Sequence, residues 1–226
     1  MPNRKFLTRH EVSAMLRAAL NTAHPERNQC IILMAFIHGL RVSELLSLRL
    51  ADIDLTGRIV QVSRLKNGFS TVHPLMSHEI GTLKRWLRVR RQMLSRTGGG
   101  DAGWLFIGAR GQNLSRQQGY NIITRTGKLA SLVINAHPHM LRHACGYALA
   151  DNGVDTRLIQ DYLGHRNITH TVRYTASSAA RFEGIWQPIS RKRRQQSGPN
   201  CQPFRIDVNI HYIAEKVTIY ENHLLM

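Results

Sequence analysis

The sequence is poor in cysteine and has no long hydrophobic run. Its three cysteines, Cys30, Cys145 and Cys201, are an odd number without C-x-x-C spacing, which argues against both a disulfide framework and a cysteine-rich zinc site. The first residues, "MPNRKFLTRHEVSAML", contain no apolar segment typical of a secretion signal. The longest apolar run, "CIILMAFIHGL", is too short to span a bilayer. We therefore predict a protein of the reducing cytoplasm, neither secreted nor inserted in a membrane.

Acidic side chains are also scarce. The 226 residues carry 14 Asp and Glu against 31 Lys and Arg, a formal charge of +17. Because 25 of the basic and 11 of the acidic side chains lie within residues 1–186, the positive excess belongs to the body of the chain and not to a tail. Such a surface favours a polyanion, DNA or RNA, as the partner. The length and the apolar fraction of 42% support one main folded domain.

Helical periodicity dominates the first 163 residues. Thr8 and Glu11 form a capping box before the first helix, and Gly39 suits a left-handed end of the second. Ser115 suits an N-cap, and Pro138 stands in a first turn, where proline is tolerated. The predicted helices cover about 9–20, 26–38, 42–48, 77–97, 116–130, 138–150 and 156–163.

One hairpin interrupts the helices. Asn67-Gly68 separates two strand-like runs in "GRIVQVSRLKNGFSTVHPL", which predicts a tight β-hairpin over about 57–75 at a sheet edge, with Lys66 beside its tip. The fold class is therefore α+β, mostly helical with a small antiparallel sheet. After Trp186 the composition changes to a basic linker, so we predict a domain over 1–187 and a linker and C-terminal tail of unknown role over 188–226.

The stretch "HMLRH", residues 139–143, admits two interpretations. Two histidines spaced i, i+4 on a helix can bind zinc, but the metalloprotease motif needs a glutamate where this chain has Met140. Arg142 lies on nearly the same helix face as His139 and would repel a dication. A guanidinium on that face suits an anionic substrate instead, because its donors match phosphate oxygens. The sequence predicts neither a metal nor a cofactor.

Four motifs occur in one order along the chain, "HGLRVSELLSL", "RLKNGFSTVHPL", "HMLRHACGYAL" and "LGHRNITHTVRY". Each of them alone is compatible with ordinary surface residues of a basic protein. Together, over about residues 5–186, they resemble the tyrosine recombinase, or phage integrase, family. Within that family the sequence looks most similar to the fimbriae regulatory recombinases of enteric bacteria. The resemblance implies a mostly helical tyrosine recombinase catalytic domain that acts on DNA.

The resemblance also assigns candidate catalytic residues. The matched positions are Arg41, the hairpin lysine Lys66, the H-x-x-R pair His139 and Arg142, the following histidine His165, and the nucleophile Tyr174. Other tyrosines lack the "LGH" that stands nine residues before the nucleophile; these are Tyr120, Tyr147, Tyr162, Tyr212 and Tyr220. We interpret His143 as a structural residue that packs under the site.

The chemistry of these residue types agrees with the resemblance. Phosphodiester cleavage by a side chain adds negative charge to the non-bridging oxygens, which Arg41, Arg142 and His165 can stabilise. A lysine at a hairpin tip can protonate the leaving 5′-oxygen, and His139 can assist proton transfer at the tyrosine. Attack by the tyrosine gives a 3′-phosphotyrosine link that needs neither ATP nor metal for religation.

The resemblance further implies the substrate and the assembly. We expect double-stranded DNA with short inverted repeats, a homo-tetramer on that DNA, inversion of a promoter-bearing element that controls fimbrial phase variation, and action at the bacterial nucleoid in the cytoplasm. Only about 40 residues precede Arg41, whereas larger family members carry a separate core-binding domain there. Accessory DNA-bending proteins are therefore expected. A type IB topoisomerase-like enzyme and a non-catalytic DNA-binding regulator remain as alternatives.

Overall fold

A computed structural model describes residues 4–64, 70–98 and 100–176 of the chain. These residues form eight α-helices and three β-strands, with single 3₁₀ turns at Ala19–Asn21 and Leu50–Asp52. The helices are α1 (Arg9–Ala18), α2 (Pro25–Ile37), α3 (Val42–Leu46), α4 (Ser77–Thr97), α5 (Arg116–Leu129), α6 (Pro138–Asp151), α7 (Thr156–Leu163) and α8 (Thr169–Ala176). The strands are β1 (Ile53–Asp54), β2 (Ile59–Val62) and β3 (Thr71–Pro74). The predicted α+β class with a small antiparallel sheet is confirmed.

Local sequence sets the ends of the helices. Before α1, the Glu11 amide donates to the Thr8 hydroxyl and the Thr8 amide donates to the Glu11 carboxylate, as the capping box predicts. Helix α2 is followed by Gly39 at φ +56°. A Cβ there would lie 2.4 Å from a methyl of Leu163, so only glycine fits this close approach between α2 and α7.

Helix α2 is the centre of the core. Every residue from Arg27 to Ile37 is buried, and the helix contacts α1, α3, α4, α5 and α6. Trp86 on α4 and Phe106 in the following loop are fully buried as well. From residue 30 to residue 37 every side chain of α2 is apolar, and a helix segment that is apolar on all sides must be enclosed on all sides. The later helices α6, α7 and α8 pack on one another and form a second cluster beside α2.

The sheet has the order β1-β2-β3 with antiparallel pairing throughout. In the β2–β3 pair, Val60 is opposite His73 and Val62 is opposite Thr71. The predicted hairpin is therefore confirmed in its two strands, and β3 forms the edge of the sheet. The predicted position of Lys66 lies outside the described residues, as does the predicted domain boundary near residue 188.

A buried polar chain joins this sheet to α2 and α4. The Nδ1 atoms of His38 and His73 are 3.2 Å apart, and His73 Nε2 lies 2.9 Å from the Thr71 hydroxyl. On its other side, His38 Nε2 is 2.9 Å from a carboxylate oxygen of Glu79, although the angles there do not make a hydrogen bond. The side chains of His38 and Glu79 are 0% exposed. Burial, followed by the proximity of His38 and Arg64, lowers the pKa of His73 to about 3.

Candidate active site

The first half of the candidate site lies where α2 ends and α3 begins. Arg41 is the N-cap residue of α3. Its backbone amide donates to one carboxylate oxygen of Glu44 at 3.0 Å, and its guanidinium donates to the other at 2.6 Å. Glu44 is 2% exposed, whereas the Arg41 side chain is 34% exposed. The buried carboxylate therefore fixes a guanidinium that still reaches the surface.

Arg142 on α6, much later in the sequence, is the second arginine of this half. Its guanidinium donates to the carbonyl of Gly39 at 2.5 Å and to the carbonyl of Leu163 at 2.7 Å, and Nη1 lies 4.0 Å from Glu44. The residue is 4% exposed. Because Gly39 precedes Arg41 and Leu163 precedes His165 by two residues, Arg142 ties the segments of Arg41 and His165 to α6.

Two histidines lie beside the arginines. His165 follows the left-handed Gly164 that ends α7, and its Nδ1 is 2.9 Å from the Thr171 hydroxyl. His139 is exposed on the first turn of α6, with its ring 6.5 Å from that of His137. The positive charges of Arg41 and Arg142 act on both histidines. The structure thus brings Arg41, His139, Arg142 and His165 into one region.

Tyr174 lies on α8 and is 1% exposed. Its hydroxyl is 2.9 Å from His143 Nδ1, its ring stacks near His165 with centroids 6.3 Å apart, and it meets Tyr147 edge to face at 5.1 Å. On α6, Gly146 leaves room for the ring, since a Cβ there would be 2.6 Å from it. The phenol is therefore buried inside the fold, near the arginines and histidines.

Burial dominates the electrostatics of the site. It lowers the pKa of His165 to about 3, with Arg142 and Arg41 as further causes, and lowers the pKa of His143 to about 4. Both rings are consequently neutral at pH 7. Burial also raises the pKa of Tyr174 to about 12 and lowers the pKa of Arg142 to about 10. At pH 7 the phenol keeps its proton and the guanidinium keeps its charge.

Glu44 remains ionised in spite of its burial. Burial alone would raise its pKa, but the hydrogen bond from the Arg41 amide and the charge of Arg64 outweigh this and lower it. Arg64 donates to Glu44 at 2.9 Å. One buried carboxylate thus faces three guanidinium groups, so the cluster keeps an excess of positive charge. Such an excess of buried positive charge suits the binding of an anion.

Three residues near the site had no part in the sequence prediction or only a packing role. Glu44 stands three residues after Arg41, a spacing that a search for capping carboxylates would have found. No motif or spacing in the sequence points to Arg64. His143 was predicted to be structural, and the structure adds its hydrogen bond to the Tyr174 hydroxyl. Among residues 4–64, 70–98 and 100–176, no three His, Cys, Asp or Glu side chains are grouped as a metal site.

Residues 5–181 match the sequence pattern of the phage integrase family. The chain belongs to this family. The prediction of a tyrosine recombinase is thereby confirmed, and neither alternative function gains support. In the part of the chain that the structure describes, no helix combines the length and apolar character that crossing a membrane requires.

Two relatives and one solved structure show how specific the match is. The chain is 51% identical over 191 residues to the type 1 fimbriae regulatory protein FimB of Escherichia coli K12, and the match covers 84% of this chain and 94% of FimB. It is 54% identical over 187 residues to FimE of the same strain, covering 83% and 93%. Its fold is similar to that of XerA recombinase, with a TM-score of 0.68 and 26% identity, and the match covers 78% of this chain and 62% of XerA. The predicted similarity to fimbriae regulatory recombinases is confirmed.

Proposed function

We propose that this protein cleaves and rejoins DNA at specific sites through Tyr174 and inverts a promoter-bearing element that controls fimbriae. The observation that carries the proposal is the gathering of Arg41, Arg142 and His165 beside Tyr174. These residues are separated by up to 133 positions in sequence. Arg41 and Arg142 lie near the same buried carboxylate, that of Glu44, and Arg142 donates to the end of α7, two residues before His165.

The arginines would bind the scissile phosphate. Arg41 is partly exposed and held from behind by Glu44, so its remaining donors are available to a non-bridging oxygen. Arg142 is charged and rigidly bonded to two carbonyls. Donors fixed before the reaction stabilise the charge that develops on phosphorus oxygens without a cost of reorganisation. His165 is neutral and can donate one further hydrogen bond from its ring.

The tyrosine would carry the covalent step. Attack of Tyr174 Oη on phosphorus forms a new phosphorus–oxygen bond and breaks the bond to the 5′-oxygen, which takes up a proton and leaves as a 5′-hydroxyl. We assign the proton donor to Lys66, and His139 would take up the proton that the Tyr174 hydroxyl loses on attack. The reverse attack of a 5′-hydroxyl rejoins the strand and releases the phenol. Because the phosphodiester bond is exchanged and not hydrolysed, the reaction needs neither ATP nor metal.

The substrate is proposed to be double-stranded DNA with short inverted repeats, bound in the bacterial cytoplasm at the nucleoid. The similarity to FimB and FimE over more than 90% of their length supports this choice, and the formal charge of +17 suits a DNA surface. Strand exchange between two sites requires four active sites, so we propose a tetramer on DNA, with accessory DNA-bending proteins. The domain boundary near residue 188 likewise stays a proposal.

The test uses a supercoiled plasmid in which a promoter-bearing segment lies between the inverted repeats of a type 1 fimbrial switch. We expect the purified chain to invert the segment, as a restriction digest reports, in buffer with chelator and without ATP. A plasmid with one repeat is the matched control and should not change. Relaxation of both plasmids alone would indicate a topoisomerase, and retardation in a gel without any strand cleavage would indicate a regulator.

A further inference from the structure

Arg64 is a buried arginine that the proposed reaction does not use. It lies two residues after the end of β2, and its side chain is 0% exposed. Nη1 donates to Glu44 at 2.9 Å and Nη2 donates to the carbonyl of Tyr162 at 2.5 Å. Burying a guanidinium is costly unless its charge and its donors are matched. These two contacts identify what the residue holds.

The first contact connects Arg64 with Arg41. Glu44 uses one oxygen for the Arg41 guanidinium and the other for both the Arg41 amide and Arg64. Arg64 thus holds the oxygen that the Arg41 guanidinium does not contact. Without Arg64, that oxygen would keep only the Arg41 amide, and the guanidinium of Arg142 lies 4.0 Å away. Glu44 would then draw a guanidinium inward and neutralise part of the charge that faces the phosphate.

The second contact connects Arg64 with Arg142 and His165. Tyr162 and Leu163 are the last two residues of α7, and their carbonyls accept from Arg64 and Arg142 respectively. Two guanidinium groups therefore bind the carboxyl end of one helix, where the helix dipole favours positive charge. The chain passes closely around Arg64 at the next residue, since a Cβ on Gly164 would lie 2.9 Å from Arg64 Nε. His165 follows directly.

We propose that Arg64 is a positioning residue that fixes Arg41, through Glu44, and Arg142 and His165, through the end of α7, for stabilisation of the phosphate transition state. The inference rests on the proposed function. It differs from a purely structural tie between β2 and α7, because it requires that loss of Arg64 weaken the stabilisation of charge on the phosphate. Both roles predict a less stable protein, so stability alone does not separate them.

The test compares two substrates and two variants. Arg64→Lys keeps the charge but cannot reach Glu44 and the Tyr162 carbonyl together, and Arg64→Met removes both contacts. The probe is a nicked duplex with one fimbrial repeat, carrying either the normal scissile phosphate or a methylphosphonate, in which a methyl group replaces one charged oxygen. Covalent capture is measured in a single turnover. Arg157→Met, which removes an exposed arginine with 71% side-chain exposure, is the matched control.

We expect both Arg64 variants to capture the phosphate substrate about 100-fold more slowly and the methylphosphonate substrate at nearly the rate of the unchanged protein. The methylphosphonate lacks the charge that the arginines stabilise, so their misplacement matters little there. Thermal unfolding verifies that Arg64→Lys is folded at the assay temperature. Equal losses on the two substrates, or no loss on the phosphate, would overturn the inference.

A second measurement separates this inference from the proposed function. Side-chain NMR of the full chain without DNA follows rotation about the Nε–Cζ bonds of Arg41 and Arg142. We expect faster rotation of both in Arg64→Lys, and unchanged rotation would overturn the positioning role. If the unchanged protein captures neither substrate, the proposed function fails, and the NMR result still decides whether Arg64 holds the two arginines.

Discussion

The candidate site consists of an arginine half, around Arg41 and Arg142, and a tyrosine half, around Tyr174. The two halves differ in their exposure to solvent. Arg41, Arg64 and Arg142 are fixed by the carboxylate of Glu44 and by backbone carbonyls, and Arg41 keeps a third of its side chain exposed. Tyr174 is 1% exposed, and its hydroxyl is engaged by His143. Arg41 is accessible to a ligand, whereas Arg64, Arg142 and Tyr174 are buried.

The difference separates binding from reaction. A phosphate can approach Arg41 without any change in the described structure, but the Tyr174 oxygen can reach phosphorus only after the ring leaves its place over Gly146. Helix α8 has eight residues and packs mainly on α6 and α7. We therefore expect DNA to bind first and Tyr174 to become exposed in a second step.

The largest effect is expected from removal of the nucleophile. Tyr174→Phe takes away one oxygen and keeps the ring, so DNA affinity should change little while covalent capture disappears. A nicked suicide substrate traps the 3′-phosphotyrosine, and peptide mapping identifies the attached residue. Tyr147→Phe, which changes the neighbouring ring, is the control and should retain capture. Attachment at Tyr212 or Tyr220 would show that the nucleophile was chosen wrongly.

The arginine half should respond through the reaction rate with the tyrosine intact. Arg142→Lys keeps a positive charge but cannot bond the Gly39 and Leu163 carbonyls together while facing a phosphate. We expect capture to fall about 100- to 1,000-fold, measured in a single turnover at saturating protein. Arg88→Lys, at an exposed position on α4, serves as control. A loss of the same size in Arg88→Lys would argue that general DNA contacts set the rate.

Adding a methyl group at Gly146, under the Tyr174 ring, should displace the ring and expose it. In Gly146→Ala the added Cβ lies 2.6 Å from the Tyr174 ring, so the ring must move and the free energy of unfolding should fall by about 1–3 kcal/mol. Chemical denaturation measures the loss, and nitration of Tyr174 measures its exposure. Gly81→Ala places its Cβ 3.8 Å from the nearest side-chain atom and should stabilise helix α4 slightly. Unchanged nitration in Gly146→Ala would contradict the packing described here.

The smallest effect is expected at the hydrogen bond that holds the phenol. His143→Phe keeps a ring against Tyr174 but removes the acceptor or donor at Nδ1, which weakens the closed state by about 1 kcal/mol. If the exposure of Tyr174 limits the reaction rate, covalent capture should become up to about fivefold faster. His10→Phe, exposed on α1, is the control. Slower capture would show instead that His143 takes part in proton transfer at the tyrosine.

Strong local signals made much of the fold predictable. The capping box at Thr8, the glycine at position 39 and the proline at 138 marked helix ends that the structure shows. Helix α8 was not predicted, because "THTVRYTA" is rich in β-branched residues with low helix propensity. Packing on α6 and α7 overrides that preference. Strand β1 has two residues and is too short to give an alternating pattern.

Contacts between distant segments could not be read from the sequence. The motif spacing and the family resemblance predicted which residues to examine, yet their roles are still predictions. Neither Arg64 with Glu44, twenty positions apart, nor His143 with Tyr174, thirty-one positions apart, follows from periodicity. Such pairs depend on how helices cross, which local patterns do not determine. The sequence therefore indicated which residues to examine, but not their contacts or which of them are buried.

The buried chain of Glu79, His38, His73 and Thr71 has a consequence for how this protein can diverge. Each of these side chains has its neighbour in the chain as a polar partner inside the fold. A single replacement would leave a buried ionisable group without its counterpart, at a cost of a few kcal/mol. Amino-acid substitutions at these four positions are therefore expected to occur in compensating pairs. The four residues come from the end of α2, from β3 and from α4, so compensating substitutions would involve three separate segments of the chain.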